Sequence, residues 1–261
     1  MTGALHIVGI GPGNKENMTL RAIEVIEKSD VVVGYELYLQ LIEEMLKDKE
    51  VISTQMQEEV DRARAAIDKA SKGHTVALVS SGDAGVYGIA GLAFEIISQM
   101  RQKGLTAQFA LEVVPGVTAA NAAGALLGAP LIHDFAAISL SDLLTPRDVI
   151  EKRIASAAEA DFIIVVYNPK GSRFRENLGR AKEIILRYRT GTTPVGIVRK
   201  AYRDGQEVIV TSLDDMLRYN VDMVTTIIIG NSVTFGFENY MVTPRGYSKK
   251  YELLPSAQDD L

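Results

Sequence analysis

Short β-branched runs alternate with amphipathic segments along almost the whole chain, and this alternation is the feature that most constrains its fold. Apolar runs such as "TVALVS" (75–80) and "FIIVVY" (162–167) have strand length, whereas residues 57–72 place apolar side chains at helical spacing. Strands that alternate with helices indicate βαβ units and mainly parallel sheets. About ten strands are too many for an ordinary single sheet. We therefore predict an α/β protein with two αβα lobes, each around a mainly parallel five-stranded sheet.

The predicted strands and helices divide into two sets. The strands are 5–10, 30–34, 50–53, 75–80 and 111–114 in the first half, and 136–140, 161–167, 194–199, 207–211 and 225–230 in the second. The later helices are predicted at 147–159, 174–189 and 213–219. The small-residue stretch "PGVTAANAAGALLGAP" (115–130) suits close packing where two lobes meet. We expect an N-terminal lobe over 1–117, a C-terminal lobe over 118–243 and a polar tail over 244–261.

Composition excludes several kinds of chemistry. The chain has no cysteine, which removes disulfides, thiolate metal sites and a Cys nucleophile together. With only three histidines we also expect no metal site. The apolar runs are too short to span a bilayer, and the N-terminal residues lack the pattern of a signal peptide. We therefore expect a cytoplasmic protein with no membrane partner.

The net charge of −5 is unevenly spread. From Pro169 to Arg203 there are ten Lys and Arg residues but only two acidic ones, Glu176 and Glu183. Such a segment is either a solvated helix face or a basic patch that faces an anionic small molecule. Nucleic acid is not expected as a partner, because the whole chain is acidic and has no recognisable reader motif.

The first glycine loop, "GIGPGN" (9–14), follows a predicted strand and resembles a phosphate-binding loop. The dinucleotide fingerprint G-x-G-x-x-G requires a third glycine where this chain has Asn14. Pro12 also lacks the backbone N–H that a pyrophosphate would need. No Walker A motif occurs in the chain. An NAD-dependent Rossmann oxidoreductase therefore remains only as an alternative.

A second glycine loop, "SSGDAGVYGIAG" (80–91), also follows an apolar strand. Ligands of α/β proteins bind at the carboxyl ends of parallel strands, and glycines allow close backbone approach there. Asp83 could accept hydrogen bonds from ligand hydroxyl or ammonium groups. Alternatively, Asp83 is the N-cap of the next helix in a plain tight turn.

Four later strand ends complete the pattern: "VVPGVTAAN", "IVVYNP", "PVGIVRKAYRDGQEV" and "TTIIIGNS". Each alone indicates a turn, a hairpin or a helix cap. Together with the two glycine loops, and in this order, they resemble the tetrapyrrole methylases over residues 4 to 235. Within that family, residues 131–154 and "YNPKGSRFRENL" are similar to the branch that methylates carbon 17 of a precorrin-3-level ring and contracts it. One departure is Arg147, where that branch usually has an aromatic residue.

The resemblance implies a homodimer that binds S-adenosylmethionine in a cleft between the two lobes. It also implies which residues contact this cofactor, many of them through the backbone. These are Pro12, Ser81, Gly82, Asp83, Val86, Thr118, Ala119, Tyr167, Asn168, Gly196, Ile197, Thr225 and Thr226.

The implied substrate is a tetrapyrrole bearing acetate and propionate groups, which Arg and Lys suit. The candidate substrate-binding residues are Gly11, Lys170, Arg173, Arg175, Arg199, Lys200 and Arg203. Methyl transfer itself needs alignment more than a strong base. Ring contraction needs polar groups, and our candidates for that catalytic role are Ser139, Ser141, Asp142 and Thr145. Asp142 or Thr145 could instead simply cap a helix.

Two further alternatives stay open at this point. One is another precorrin or uroporphyrinogen methylase of the same family. The other is a sensor that binds S-adenosylmethionine without turnover. The sensor is disfavoured by the basic segment, which indicates a second ligand.

Overall fold

A computed structural model describes residues 3–105, 108–169 and 177–254. The chain forms two compact units. The first comprises the residues up to Ala122 together with Lys200–Gln206, and the second comprises Ala123–Arg199 and the residues from Glu207 onward. The division falls inside the small-residue helix, and the lobe boundaries predicted after 117 and after 243 stay predictions.

The first unit alternates strands and helices as predicted. Its strands are β1 (Gly3–Gly9), β2 (Val31–Tyr35), β3 (Glu50–Thr54), β4 (Thr75–Ser80) and β5 (Phe109–Val114). Its helices are α1 (Leu20–Lys28), α2 (Glu36–Gln40), α3 (Glu59–Ser71) and α4 (Ala90–Gln102), and α5 (Ala119–Leu127) runs across the division into the second unit. The sheet is fully parallel in the order β3-β2-β4-β1-β5, which confirms the prediction for this unit.

Both faces of this sheet are buried. Because side chains alternate along a strand, Leu5 and Ile7 pack in one apolar cluster with α3 and α4, whereas Val8 packs in a second cluster with α1. Helices on both faces are typical of parallel sheets. The carboxyl ends of the strands are then the part of the sheet where loops can meet a ligand.

The second unit is built on another five-stranded sheet. Its elements are β6 (Gly128–Ala129), β7 (Phe135–Ser139), α6 (Arg147–Glu159), β8 (Ile163–Tyr167), α7 (Asn177–Ile185), β9 (Pro194–Arg199), β10 (Glu207–Ser212), β11 (Thr225–Ile229), β12 (Phe235–Phe237) and β13 (Tyr240–Val242). The sheet order is β10-β9-β11-β8-β7. Helices α6 and α7 pack on one face of it.

The prediction of a mainly parallel sheet is wrong for this second unit. Only β7 and β8 are parallel, and the other three neighbouring pairs are antiparallel. For β9 and β10 the reason lies in their connection, because these strands are joined by the short segment 200–206. Parallel neighbours would need a crossover of roughly a dozen residues or more.

The helix predicted at 213–219 is also wrong, because this segment contains only a 3-10 turn at Met216–Arg218. The hydroxyl of Ser212 accepts a bond from the backbone N–H of Asp215, and such local side-chain bonds compete with helix formation. Helix α6 has its predicted bounds. Helix α7 ends at Ile185, before the predicted 189, and the predicted start at 174–176 lies outside the described residues.

A small sheet in the order β12-β13-β6 was not predicted from the sequence. Its strands have only two or three residues each, too few to show a clear alternation. Within residues 3–105, 108–169 and 177–254, no helix has the length and apolar character needed to cross a membrane.

Candidate active site

The loops that follow β4, β1 and β5 lie side by side, because these strands are neighbours in the first sheet. The first two loops are joined directly. The N–H of Gly11 donates to the carbonyl of Gly82 at 3.0 Å, and the N–H of Gly82 donates to the carbonyl of Gly11 at 2.7 Å. The two glycine loops singled out from the sequence therefore form one structure.

These glycines are required by the contact between the loops. A Cβ on Gly116 would lie 2.1 Å from the carbonyl oxygen of Gly82, and a Cβ on Gly9 would lie 2.7 Å from the same atom. Gly11 and Gly82 also have positive φ angles of 72° and 68°, which favour glycine. These glycines thus allow the main chains of the loops after β1, β4 and β5 to pack in direct contact.

Asp83 holds the second loop to the third. Its Oδ2 accepts a hydrogen bond from the N–H of Gly116 at 2.9 Å, and its Oδ1 accepts one from the N–H of Gly85 at 2.8 Å. The alternative of a helix N-cap is wrong, because α4 begins at Ala90 and Ile89 occupies its cap position. Both carboxylate oxygens are thus engaged by the protein's own backbone.

Arg203 contacts both glycine loops. Its Nη2 donates to Oγ of Ser81 at 2.7 Å, and its Nε donates to the carbonyl oxygen of Pro12. Burial lowers the pKa of this guanidinium. The sequence predicted that Arg203 binds substrate carboxylates. In the structure its guanidinium bonds to two residues of the first unit, Pro12 and Ser81.

The remaining predicted contacts of the first unit lie around these loops. Oγ1 of Thr118 accepts a hydrogen bond from the N–H of Asn121 at 3.1 Å, as expected for a residue that caps α5. Ala119 is the first residue of that helix, and Val86 is exposed on the second loop. The structure thus places Pro12, Ser81, Gly82 and these residues at the carboxyl edge of one sheet.

In the second unit, the predicted catalytic and cofactor-binding residues meet at the ends of β7 and β8. These strands are parallel, with Ser139 opposite Tyr167. Asn168, at a φ of 50°, donates from Nδ2 to Oγ of Ser139 at 2.9 Å. The N–H of Ser141 donates to the same oxygen at 3.3 Å.

Asp142 lies beside this group and pairs with Arg147. Nε of Arg147 donates to Oδ2 of Asp142 at 2.9 Å, and the side chain of Asp142 is only 9% exposed. Its Oδ1 is buried and has no hydrogen-bond partner among the described residues. Neither Asp142 nor Thr145 caps α6, since Pro146 occupies the cap position without a side-chain bond, so the capping alternative is wrong.

Other predicted cofactor residues of the second unit are built into the sheet. The Ile197 side chain is buried in the core between α6, α7 and the strands. A Cβ on Gly196 would lie 2.3 Å from Cδ1 of Leu127, so this glycine makes room for a neighbouring side chain. Thr225 and Thr226 are buried, and the Thr225 hydroxyl donates to Oδ1 of Asp222 at 2.8 Å. A cofactor contact of Ile197 therefore stays a prediction.

Several side chains of the basic segment bond to internal partners, and Arg199 and Arg180 bond to carboxylates. Nε of Arg199 donates to Asp222 at 2.6 Å and Nη1 donates to Glu207 at 3.2 Å. The hydrogen bond to Asp222 is the main cause that raises the pKa of Arg199. Further internal bonds are made by Arg180, Lys182 and Arg189. Lys200 is half-buried, and Lys170, Arg173 and Arg175 lie outside the described residues, so their substrate role stays a prediction.

Two contacts were missed in the sequence. One is the Arg147–Asp142 pair, whose residues are five apart and carry opposite charges. The other is Asn177, the first residue of α7, which donates from Nδ2 to the carbonyl of Leu140 at 2.8 Å. Over the described residues, no cluster of three or more His, Asp or Glu side chains could hold a metal ion.

Comparison with known proteins identifies the class to which this fold and these loops belong. Residues 4–217 match the family described as Tetrapyrrole (Corrin/Porphyrin) Methylases. The chain belongs to this family, as the resemblance predicted. The family match favours a methylase over the NAD-dependent alternative. In agreement with that, no α-helix opens directly from the first glycine loop, since α1 begins only after Thr19.

Its curated relatives are more specific. The chain is 49% identical to the cobalt-factor III methyltransferase of Priestia megaterium over 99% of its own length, but it spans only 48% of that relative. It is 48% identical to a probable cobalt-factor III C(17)-methyltransferase of Salmonella typhimurium, over 94% of this chain and 99% of the relative. A precorrin-3B C(17)-methyltransferase of Sinorhizobium is 37% identical, over 95% of this chain and 98% of that protein.

A solved structure supports the fold assignment. The crystal structure of the methyltransferase CobJ superimposes with a TM-score of 0.85 at 31% sequence identity, covering 93% of this chain and all of that one. The two five-stranded sheets thus occur in the fold of a solved methyltransferase.

Proposed function

We propose that this chain is an S-adenosylmethionine-dependent methyltransferase of cobalamin biosynthesis that methylates carbon 17 of a precorrin-3-level tetrapyrrole, with contraction of the ring. The observation that carries the proposal is the match over nearly the full length of both this chain and the Salmonella relative, which is named for this carbon. The three joined loops at the edge of the first sheet agree with it. The chain spans about half of the Priestia relative, so the proposal does not rest on that relative's activity.

The relatives also bear on the form of the substrate. The two relatives near 49% identity are named for cobalt-factor III, whereas the one named for precorrin-3B is 37% identical. We therefore propose the cobalt-containing tetrapyrrole as the substrate. The metal belongs to that substrate, which is consistent with a chain that lacks cysteine and is poor in histidine.

The loops of the first unit suit a methyl donor better than a phosphate. Pro12 has no N–H to donate, and Asp83 would bring a negative charge close to a phosphate group. S-adenosylmethionine would supply a methyl group activated by a positively charged sulfur, which would leave as a neutral thioether when a carbon nucleophile takes the methyl. We assign the holding of this cofactor to the backbone and side chains around Pro12, Ser81–Asp83, Val86 and Thr118–Ala119. Their part in the reaction is alignment, which can account for most of the rate enhancement of such a transfer.

The group at the ends of β7 and β8 suits contacts with a polar substrate. A serine hydroxyl has one donor and two acceptor positions. Oγ of Ser139 accepts from Asn168 and from Ser141, so its proton remains to be donated. We propose that Ser139 donates to an oxygen of the tetrapyrrole during ring contraction, with Ser141, Asp142 and Thr145 as neighbouring polar groups. Tyr167, Asn168, Gly196, Ile197, Thr225 and Thr226 remain our proposed cofactor contacts from this unit.

The proposal is tested by calorimetry with S-adenosylhomocysteine, followed by mass spectrometry of incubations with cobalt-factor III and with precorrin-3B. We expect binding, and a mass gain of one methyl group in place of a hydrogen, with the larger rate on cobalt-factor III. No binding of S-adenosylhomocysteine would overturn the main proposal. Binding without methylation of either tetrapyrrole would favour the sensor, and methylation at another carbon would favour a different methylase of the family.

The assembly and location of the protein are part of the same proposal. We propose a cytoplasmic homodimer without nucleic-acid or membrane partners. The family resemblance supports the dimer.

A further inference from the structure

We propose that Arg203 is a positioning residue that fixes the two glycine loops for the methyl donor, and that it does not bind the carboxylates of the tetrapyrrole. This inference deepens the proposed function and rests on it. It starts from the two hydrogen bonds that the guanidinium makes. One goes to the Pro12 carbonyl on the loop after β1, and the other goes to the Ser81 hydroxyl on the loop after β4.

The turn that carries Arg203 is tightly organised. Lys200 and Tyr202 have positive φ angles of 50° and 57°, and Gly205 has one of 75°. The N–H of Arg203 donates to the carbonyl of Lys200 at 3.0 Å, and the N–H of Tyr202 donates to Oε1 of Gln206 at 2.7 Å. Strained residues held by such bonds indicate a backbone shaped to aim one side chain.

The surroundings of Arg203 leave little freedom for its side chain. A Cβ on Gly13 would lie 2.4 Å from Cγ and 2.6 Å from Nε of Arg203, so glycine at this position admits the side chain. The ring of Tyr38 lies nearby. Burial raises the pKa of the Tyr38 hydroxyl and lowers that of Arg203. A half-buried guanidinium already bonded to two loops is poorly placed to leave them for a substrate.

The chemistry of arginine explains why this residue type is used. Its planar fork donates from two nitrogens at once in fixed directions, which a lysine cannot reproduce. Together with the paired N–H and carbonyl groups of Gly11 and Gly82, it gives the loops two connections. Losing Arg203 would leave the Pro12 and Ser81 segments less ordered before the cofactor binds, and the cofactor would have to order them.

The test separates binding of the cofactor from binding of the substrate. For Arg203→Met we expect the Kd for S-adenosylhomocysteine to rise tenfold or more, with the KM for tetrapyrrole changed less than about twofold at saturating S-adenosylmethionine. Arg203→Lys should give an intermediate Kd. Adding Ser81→Ala to Arg203→Met should change the Kd less than Ser81→Ala does in the wild type, because the two residues share one bond. Asp204→Ala, on the same turn but exposed, is the matched control and should change neither constant.

A second variant covers the case in which Arg203→Met does not fold. Gly13→Ala keeps the charge but displaces the Arg203 side chain, and it should also raise the Kd for S-adenosylhomocysteine. An unchanged Kd in both variants, or a raised tetrapyrrole KM with an unchanged Kd, would overturn the inference while leaving the proposed function intact. Failure of the wild type to bind S-adenosylhomocysteine would remove both together.

Discussion

The loops of the first unit and the strand ends of the second are held by different kinds of contact. In the first unit, Gly9 and Gly116 bring main chains so close to the Gly82 carbonyl that no side chain fits between them, and Gly11 and Gly82 have positive φ angles that favour glycine. In the second unit, side chains bond to one another, as Asn168 does with Ser139 and Arg147 does with Asp142. The glycines of the first unit therefore tolerate little substitution. In the second unit, other side chains of similar hydrogen-bonding capacity could replace those present.

This difference follows from the two sheets. A fully parallel sheet with helices on both faces offers its strand ends as the open edge, and three neighbouring loops must then share that edge. The mixed sheet has only one parallel pair, β7 and β8, whose carboxyl ends meet. There the polar groups reach each other through their side chains. Arg147 lies in this second arrangement.

The largest effect is expected from Gly116→Ala. The added Cβ would lie 2.1 Å from the carbonyl oxygen of Gly82, so the joined loops must separate. We expect a loss of about 2–3 kcal/mol in the free energy of unfolding, and weaker binding of S-adenosylhomocysteine. Urea denaturation and calorimetry measure the two effects.

Gly91→Ala is the matched control for this comparison. A Cβ on Gly91 has nothing within 4 Å, and the residue lies exposed in α4. Alanine there should leave binding unchanged and stabilise the protein by up to about 1 kcal/mol. Equal effects of the two substitutions would show that the loops do not depend on close backbone contact.

The sequence predicted the positions of these loops but not the hydrogen bonds that join them. Strand alternation located all ten strands of the two large sheets, because a buried strand leaves an apolar run that is visible locally. Strand direction in the second sheet depends on which strands become neighbours, and no local pattern records that. In the same way, the bonds of Asp83 to Gly116 and of Arg203 to Ser81 and Pro12 could not be predicted, because these partners are distant in sequence. Only the location of Asp83 and Arg203 at strand ends could be inferred.

A smaller effect is expected from Arg147→Ala in the second unit. This substitution removes the hydrogen-bond partner of the Asp142 Oδ2 atom. The Asp142 side chain is only 9% exposed. Because Arg147 itself is 54% exposed, water can replace part of the interaction, and we expect a loss of about 1–2 kcal/mol. Binding of S-adenosylhomocysteine measured by calorimetry should be far less affected than in Gly116→Ala.

Two further variants sharpen this second test. Arg147→Ala combined with Asp142→Asn should recover part of the stability, because no unpaired charge is then buried. Arg153→Ala removes an exposed arginine from the same helix and should change the free energy of unfolding by less than about 0.5 kcal/mol. A loss in Arg147→Ala no larger than in Arg153→Ala would mean that the ion pair contributes nothing.

The smallest effect concerns Asp222, which pairs with Arg199 in the mixed sheet. Burial alone would raise the pKa of Asp222, but hydrogen bonds from Arg199, Thr225 and Val224 together lower it below its ordinary value of 3.8. A carboxyl group whose pKa is lowered by folding stabilises the protein above its unfolded pKa, and this contribution is lost as the pH falls through the folded pKa.

Since the Asp222 side chain is 35% exposed, we expect Asp222→Asn to cost less than about 1 kcal/mol at neutral pH. The difference in urea unfolding between wild type and variant should shrink once the pH falls below 3.8. A difference that stays constant or grows on acidification would show that the charge of Asp222 does not stabilise the folded protein.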